Sequence, residues 1–144
     1  MAFQATMRLK EAFDEHEKLL TIVDEYDDFS VLRVVFPGWQ KKPFFMDFVS
    51  TDNDNDVHVR VPDIMSVEQE DIPFILPLLN RFNNIFRPAK FVCDNDGTVS
   101  VQYDYLRDEE DPAASAVELH FQLAKAAHMG AKLLSRALKY KPWE

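Results

Sequence analysis

The chain has 144 residues, which is the size of one ordinary domain and long enough to bury a sizeable apolar core. It carries 16 basic and 25 acidic residues, and the net charge of −9 argues against a nucleic-acid backbone as the main partner. Its three glycines cannot build a phosphate-cradling loop, and its one cysteine excludes an intrachain disulfide and a cysteine-cluster metal site.

Neither a signal peptide nor a membrane span is predicted. The N-terminal segment already carries Arg8 and Lys10, so it has no apolar stretch of the kind that a secretory signal needs. The longest apolar runs, such as Phe44–Met46 and Phe74–Leu79, are far too short to cross a bilayer. We therefore expect a cytoplasmic protein without a membrane partner.

The first predicted element is an amphipathic helix over residues 7–27. Apolar residues recur there at steps of three and four, which keeps them on one helical face: Leu9, Phe13, His16, Leu20 and Val23. The dipole of a helix favours cations at its end, but this end is acidic, with Asp24, Glu25, Asp27 and Asp28. Two interpretations follow: a solvated helix end, or a docking surface for a basic partner or for another part of the chain.

Three strands in a row are predicted next, over residues 30–36, 44–49 and 57–61. Apolar residues alternate with other residues, as in strands that bury one face. Phe44, Met46 and Phe48 share one face, and we expect them to pack in the core first and to contact a partner only secondarily. A loop from Pro37 to Pro43 joins the first two strands, and Pro62-Asp63 ends this antiparallel meander.

A second helix is predicted to begin at Ser66 and to end near Phe86. Ser66 and Gln69 match a capping box, in which the two side chains bond free backbone N–H groups at the helix start. Pro73 and Pro77 cannot lie within a helix without the loss of a hydrogen bond. We therefore expect either a kink or a short first turn followed by a restart near Pro73.

A hairpin and a long helix complete the predicted elements. Strands over Lys90–Cys93 and Thr98–Leu106 flank a turn that ends in the Asp-Gly step at Gly97. An acidic loop over Asp108–Pro112 leads into a helix from about residue 113 to 139, whose apolar stripe contains Val117, Phe121, Ala124, His128, Ala131 and Leu138. Cations gather near its end, where they complement the helix dipole: Lys132, Arg136, Lys139 and Lys141.

The predicted order of elements is α-β-β-β-α-β-β-α. Strands that are grouped and joined by short turns indicate an α+β fold, with a single antiparallel sheet packed by helices. No repeat or long linker divides the chain, so we expect one domain over residues 1–144 with a core at roughly residues 7–138.

The chain resembles the bacterial YbjN family in three segments. These are Asn80-Arg-Phe-Asn-Asn84, Ala89-Lys-Phe-Val92 and the alternating run from Asp94 to Tyr103. Members of that family are described as sensory transduction regulators and are similar in fold to type III secretion chaperones. The resemblance covers roughly residues 7–138 and implies a chaperone-like fold, with relatives that act as small acidic dimers holding unfolded partner segments. It implies no catalytic residues.

Candidate catalytic and metal-binding residues fit known sites poorly. The alternate acids of a calcium loop are copied by Asp52, Asp54 and Asp56, but Val57 stands where that loop requires glycine. His120 and His128 are two helical turns apart, which is too far for one metal ion. Cys93 is followed by Asp94, whose carboxylate disfavours a reactive thiolate. We therefore expect a protein that is not an enzyme and that holds no cofactor or metal.

The leading hypothesis for function is a protein-binding module with a chaperone-like or regulatory role. An open antiparallel sheet has edge strands that can accept an added strand, and the net charge of −9 favours a basic partner. We also expect a homodimer. Trp39 and Trp143 either staple a loop and a tail onto the body or anchor an interface, so the candidate partner contacts are Trp39, Phe44, Met46, Phe48 and Trp143.

Two further classes of function stay open. A regulator that senses a small ligand would hold it in a pocket between sheet and helices, for which the 12 phenylalanines and four tyrosines supply lining residues. A hydrolase that uses clustered carboxylates would be stabilised by calcium or magnesium.

Overall fold

A six-stranded sheet forms the centre of the fold in a computed structural model, which describes residues 4–16, 20–51, 57–86, 89–106 and 112–140. The strands are β1 (Leu20–Glu25), β2 (Ser30–Phe36), β3 (Phe44–Ser50), β4 (Val57–Ser66), β5 (Lys90–Cys93) and β6 (Thr98–Leu106). They lie in the order β1-β2-β3-β4-β6-β5, and every neighbouring pair is antiparallel.

Helices cover one face of this sheet: α1 (Gln4–His16), α2 (Ile72–Ile85) and α3 (Pro112–Lys139). α1 lies against β1, β2 and β3, α3 lies against β4, β6 and α1, and α2 packs against β5. The predicted α+β class with a single antiparallel sheet is confirmed, and the observed order α-β-β-β-β-α-β-β-α has one strand more than predicted. Within the described ranges, no helix combines the length and the apolar character that a bilayer crossing needs.

The core lies between the sheet and the helices and contains the alternate apolar residues of each strand. Phe44, Met46 and Phe48 of β3 are fully buried, and the residues between them are half-buried. The ring of Phe13 from α1 lies 5.3 Å from the ring of Phe48. Neighbouring strands contribute Leu32, Val34, Val57, Val59, Val99 and Val101 to the same layer. Core packing of the β3 face is therefore confirmed.

The predicted helix over residues 7–27 is wrong in its second half. α1 ends at His16, and residues 20–25 form β1, which pairs with β2. The centre of β1 consists of three β-branched residues, whose stiff side chains favour a strand over a helix: Thr21, Ile22 and Val23. The acidic residues Asp27 and Asp28 therefore lie in a hairpin turn and not at a helix end.

The third predicted strand continues past Pro62-Asp63, where we expected the meander to end. A bulge between Val61 and Met65 interrupts the ladder there, and Asp63 takes a left-handed φ of 52°. A bulge tolerates a proline because the ladder needs no N–H at that point. The ammonium group of Lys42 lies 3.0 Å from the Asp63 carboxylate and also donates to the Asp63 carbonyl, which joins the bulge to the β2–β3 loop.

The predicted capping box does not form. Ser66 is the last residue of β4, and the amide of Gln69 donates to the Asn95 carbonyl at 2.7 Å. A short 3-10 turn precedes α2, which has Pro73 in its first turn and continues through Pro77. The restart near Pro73 is confirmed, because a proline in the first turn of a helix gives up no helical hydrogen bond.

The buried stripe of α3 is rotated from the predicted one. Phe121 is 52% exposed, and Ala124 and His128 are only half-buried. The core side of the helix is formed by Leu119, Leu123, Ala126, Ala127, Ala131 and Leu134. Of the predicted stripe, Ala131 is fully buried, and small residues such as Ala127 and Gly130 allow the helix to approach the sheet closely. At Gly130, an added Cβ would collide with the ring of Phe91 in β5.

The predicted hairpin over residues 90–106 is confirmed with both strands at the predicted bounds. Gly97 has a φ of 88°, which side chains with a Cβ rarely adopt. Its carbonyl accepts a hydrogen bond from the Val67 N–H at 2.9 Å, so the turn is joined to the connection between β4 and α2.

The aromatic contact between α1 and β3 generates a first prediction. Truncation of Phe48 to alanine leaves a cavity against Phe13 and should lower the free energy of unfolding by about 3–5 kcal/mol. The Ile85→Ala variant is the control, because this side chain is 67% exposed, and it should cost less than about 1 kcal/mol. Urea unfolding followed by circular dichroism measures both. Equal losses in the two variants would contradict the described core.

Candidate functional site

The two edge strands of the sheet differ in what covers them. At β5, the side-chain amide of Asn83 in α2 accepts a hydrogen bond from the Phe91 N–H and donates to the Phe91 carbonyl at 3.4 Å. A side-chain amide has the same donor and acceptor as a backbone peptide, so Asn83 takes the place of a neighbouring strand. The β5 edge is therefore closed by α2.

The outer side of β1 is paired with no strand in the described part of the chain. Its hairpin to β2 is closed by a 2.9 Å hydrogen bond from the Tyr26 N–H to the Phe29 carbonyl. Hydrogen-bonded and non-hydrogen-bonded pairs alternate in an antiparallel ladder. The backbone groups of Ile22 therefore point toward β2, and those of Thr21 and Val23 point toward the outer edge.

Large apolar side chains lie exposed on this edge strand and on its hairpin. Leu20 is 63% exposed and Ile22 is 42% exposed, and both lie on the sheet face opposite the helices. The rings of Tyr26 and Phe29 stack at a centroid distance of 4.5 Å and are also exposed. We refer to Leu20, Ile22, Tyr26 and Phe29 as the β1 patch. Exposed apolar groups in this density are typical of an interaction surface.

Carboxylates border the β1 patch at its hairpin end: Asp24, Glu25, Asp27 and Asp28. The nearest cation on the open face is Arg33, whose guanidinium donates to both carboxylate oxygens of Asp47 at 2.8 and 2.9 Å. These bonds raise the pKa of Arg33, so this cation is fixed and paired. The hairpin end of the patch is therefore negatively charged.

The predicted partner contacts lie in different environments. Phe44, Met46 and Phe48 are in the core and have no accessible surface to offer in this conformation. Trp39 is half-buried in the loop between β2 and β3, and its ring meets the ring of His128 edge-on at 5.6 Å. Trp143 lies outside the described residues.

Groups that could perform chemistry are scattered over the described residues. No group of three histidine, cysteine, aspartate or glutamate side chains is close enough there to hold a metal ion. The acids of the calcium-loop candidate lie outside the described residues: Asp52, Asp54 and Asp56. Partial burial raises the pKa of the Cys93 thiol, and the nearby Asp94 and Asp96 raise it further. Cys93 is therefore mostly a thiol at neutral pH, which makes it a weak nucleophile.

His120 is a buried polar residue surrounded by aromatic rings. It is 2% exposed and lies 5.4 to 5.6 Å from the ring centroids of Phe13, Phe36 and Phe121. Its Nδ1 atom has no hydrogen-bond partner in the described part of the chain. Burial lowers the pKa of His120 to about 4, so the imidazole is neutral at pH 7.

Comparison of the chain with protein-family models, with curated proteins and with solved structures finds no match. The assignment of a site therefore depends on the geometry of this chain alone.

The sequence predicts an open sheet edge but does not locate it at β1. The predicted helix over residues 7–27 includes residues 20–25, although Thr21, Ile22 and Val23 carry the β-branched pattern that indicates a strand. In the sequence, Asn83 stands out only as part of the motif that resembles the YbjN family. Its contact with Phe91 joins two elements that no local pattern relates.

The burial of His120 generates a prediction about acid stability. Its pKa of about 4 in the folded chain lies below the ordinary 6.5, so the unfolded chain binds more protons between these values. Stability therefore falls as the pH falls, and the loss between pH 7.5 and pH 5.0 should be about 2 kcal/mol from this residue. Urea unfolding at the two pH values measures it. The His120→Phe variant keeps the aromatic contacts and should lose about that part of the pH dependence. An unchanged dependence would contradict this assignment.

Proposed function

We propose that this chain is a non-enzymatic protein-binding module that adds an extended basic segment of a partner protein to the outer edge of β1. The observation that carries this proposal is the difference between the two sheet edges. Asn83 closes the β5 edge, whereas no described strand pairs with the outer side of β1. Sheet edges that are left open in this way recruit further strands.

The chemistry of the edge indicates what such a segment would contain. Its backbone would bond the groups of Thr21 and Val23 that point outward. Its apolar side chains would pack on Leu20 and Ile22, which are exposed on the open face. Lysine or arginine side chains at one end would meet the hairpin carboxylates, which favours encounter with a basic segment and sets its direction.

The resemblance to the YbjN family fits this proposal, since it implies a regulator or a chaperone-like protein that holds extended partner segments. We propose such a role in the cytoplasm for this chain, with the β1 edge as the holding surface. A strand added to a sheet is bound mainly through backbone groups, so one edge can accept several partner sequences.

A direct test uses a synthetic peptide of alternating lysine and valine, as long as β1. Amide hydrogen exchange followed by NMR should slow at Thr21 and Val23 when the peptide is added, because an added strand protects these N–H groups. The amide of Ile22 already points to β2 and should change little. A peptide of alternating glutamate and valine is the control and should not bind. Binding without protection at Thr21 and Val23 would exclude β1 as the site.

Charge reversal gives a matched pair of variants for the same test. The Asp27→Lys/Asp28→Lys variant should weaken binding of the lysine–valine peptide about tenfold, since two attractive pairs become repulsive. The Glu68→Lys/Glu70→Lys variant has the same change in net charge, but its exposed residues follow the far end of β4. It should bind almost as the parent does. Equal weakening would mean that attraction is spread over the whole protein and is not local to the hairpin.

The homodimer is a separate proposal that the same samples test. We propose that two copies of the chain associate, so light scattering at high concentration should give the mass of two chains. The mass of one chain would contradict the homodimer. A dimer that protects Thr21 and Val23 without peptide would make a second copy the occupant of β1 and would overturn the basic segment as its partner.

A further inference from the structure

A small polar pocket lies between the end of α3 and the loop from β2 to β3. It has a volume of about 210 Å³ and is lined by three cations of α3, namely Lys132, Arg136 and Lys139. None of its lining residues is acidic, and no described carboxylate forms an ion pair with these cations. The pocket is therefore cationic in a chain with a net charge of −9.

Trp39 forms the loop side of this pocket. Its indole Nε1 is buried and has no hydrogen-bond partner in the described part of the chain. An indole N–H can only donate, so an acceptor is missing at this position. The loop that carries Trp39 is held by a hydrogen bond from the Lys42 N–H to the Trp39 carbonyl at 3.2 Å and by the ion pair of Lys42 with Asp63.

An apolar groove lies on the same side of α3, over residues 120–129, one to three turns before Lys132. Its volume is about 410 Å³, within the range of small-molecule sites. Its walls include Phe36, Pro37, Phe121 and Met129, and Lys125 and the unpartnered His120 also line it. Phe121 is half-exposed here because it forms a wall of the groove and does not enter the core.

The groove and the pocket are adjacent along α3, and one ring contact joins their linings. His128 lines the groove, Trp39 lines the pocket, and their rings lie 5.6 Å apart. His128 and Lys132 are also one helical turn apart on α3, so they are neighbours on its surface. We refer to the groove and the pocket together as the α3 cleft, which is apolar at one end and cationic at the other.

We propose that the α3 cleft binds a soluble, single-chain amphipathic anion, with an acyl or aryl body in the groove and a carboxylate or phosphate head in the pocket. The apolar walls would bury the body, and the three cations would neutralise the head. This inference is independent of the proposed function, because no residue of the β1 patch takes part in the cleft.

The test is a titration with dodecyl phosphate below its critical micelle concentration. The chain has two tryptophans, so a Trp143→Phe variant leaves Trp39 as the reporter. Its fluorescence should change and saturate with dodecyl phosphate, whereas inorganic phosphate and the neutral dodecyl glucoside should each bind at least tenfold more weakly. Equal affinity for dodecyl glucoside would overturn the proposal, because it would leave the cationic pocket without a role.

Substitutions separate the two ends of the cleft. The Lys132→Gln/Arg136→Gln variant should weaken binding of dodecyl phosphate tenfold or more, and Phe121→Asp should weaken it similarly. The matched control is Arg81→Gln/Lys90→Gln, which removes two positive charges from exposed positions on α2 and β5. Circular dichroism checks that each variant folds. Equal weakening in the control would overturn the assignment to the cleft.

A membrane surface is the competing source of the same chemistry. The protein should bind vesicles of phosphatidylglycerol no more tightly than it binds dissolved dodecyl phosphate. The Lys132→Gln/Arg136→Gln variant should lose affinity for dissolved dodecyl phosphate and not for the vesicles. Binding to vesicles alone would overturn the proposal. The lysine–valine peptide should bind the Lys132→Gln/Arg136→Gln variant as it binds the parent, so failure of one proposal can be told from failure of the other.

Discussion

The structure depends on one-sided burial of the central sheet. The alternate residues of β2, β3, β4 and β6 form one apolar face, and α1 and α3 remove that face from water. Burial of each large side chain contributes about 2 kcal/mol, so this layer supplies most of the stabilising free energy. All three helices lie on this one face: α1 and α3 cover its centre, and α2 packs at the β5 edge. The opposite face and the β1 edge are therefore left for other contacts.

The open face is stabilised by pairing within the sheet. Arg33 and Asp47 lie opposite each other on β2 and β3 and form a two-point charged contact, and the Arg33 guanidinium also lies 5.0 Å from the ring centroid of Phe45. Such a pair satisfies its own charges and makes that part of the face unattractive to a further layer of helices. The four side chains of the β1 patch are large and apolar or aromatic, and they form no charged pair of this kind. This distinguishes the patch from the rest of the open face.

Local sequence patterns predicted those parts of the fold in which one pattern fits one structure. Alternation over residues 30–36 and 44–49 and the Asp-Gly turn at Gly97 each led to the correct element. Residues 20–25 were ambiguous, since Leu20 and Val23 fit a helical stripe as well as a strand, and pairing with β2 decides between them. The bulge at Asp63 and the rotated stripe of α3 follow from contacts between distant segments. Local sequence patterns cannot predict contacts between segments that are distant in the chain.

The candidate sites show the same limit in electrostatic terms. The net charge of −9 led to the expectation of a basic partner, and the hairpin of β1 agrees with that sign locally. The sequence places the cations at the end of α3 as partners of the helix dipole, and it does not show that Trp39 lies opposite them. Charges interact strongly only within about 8 Å at physiological salt. The sign of a binding site is therefore set by which side chains the fold brings within that distance, and an acidic protein can hold a cationic cleft.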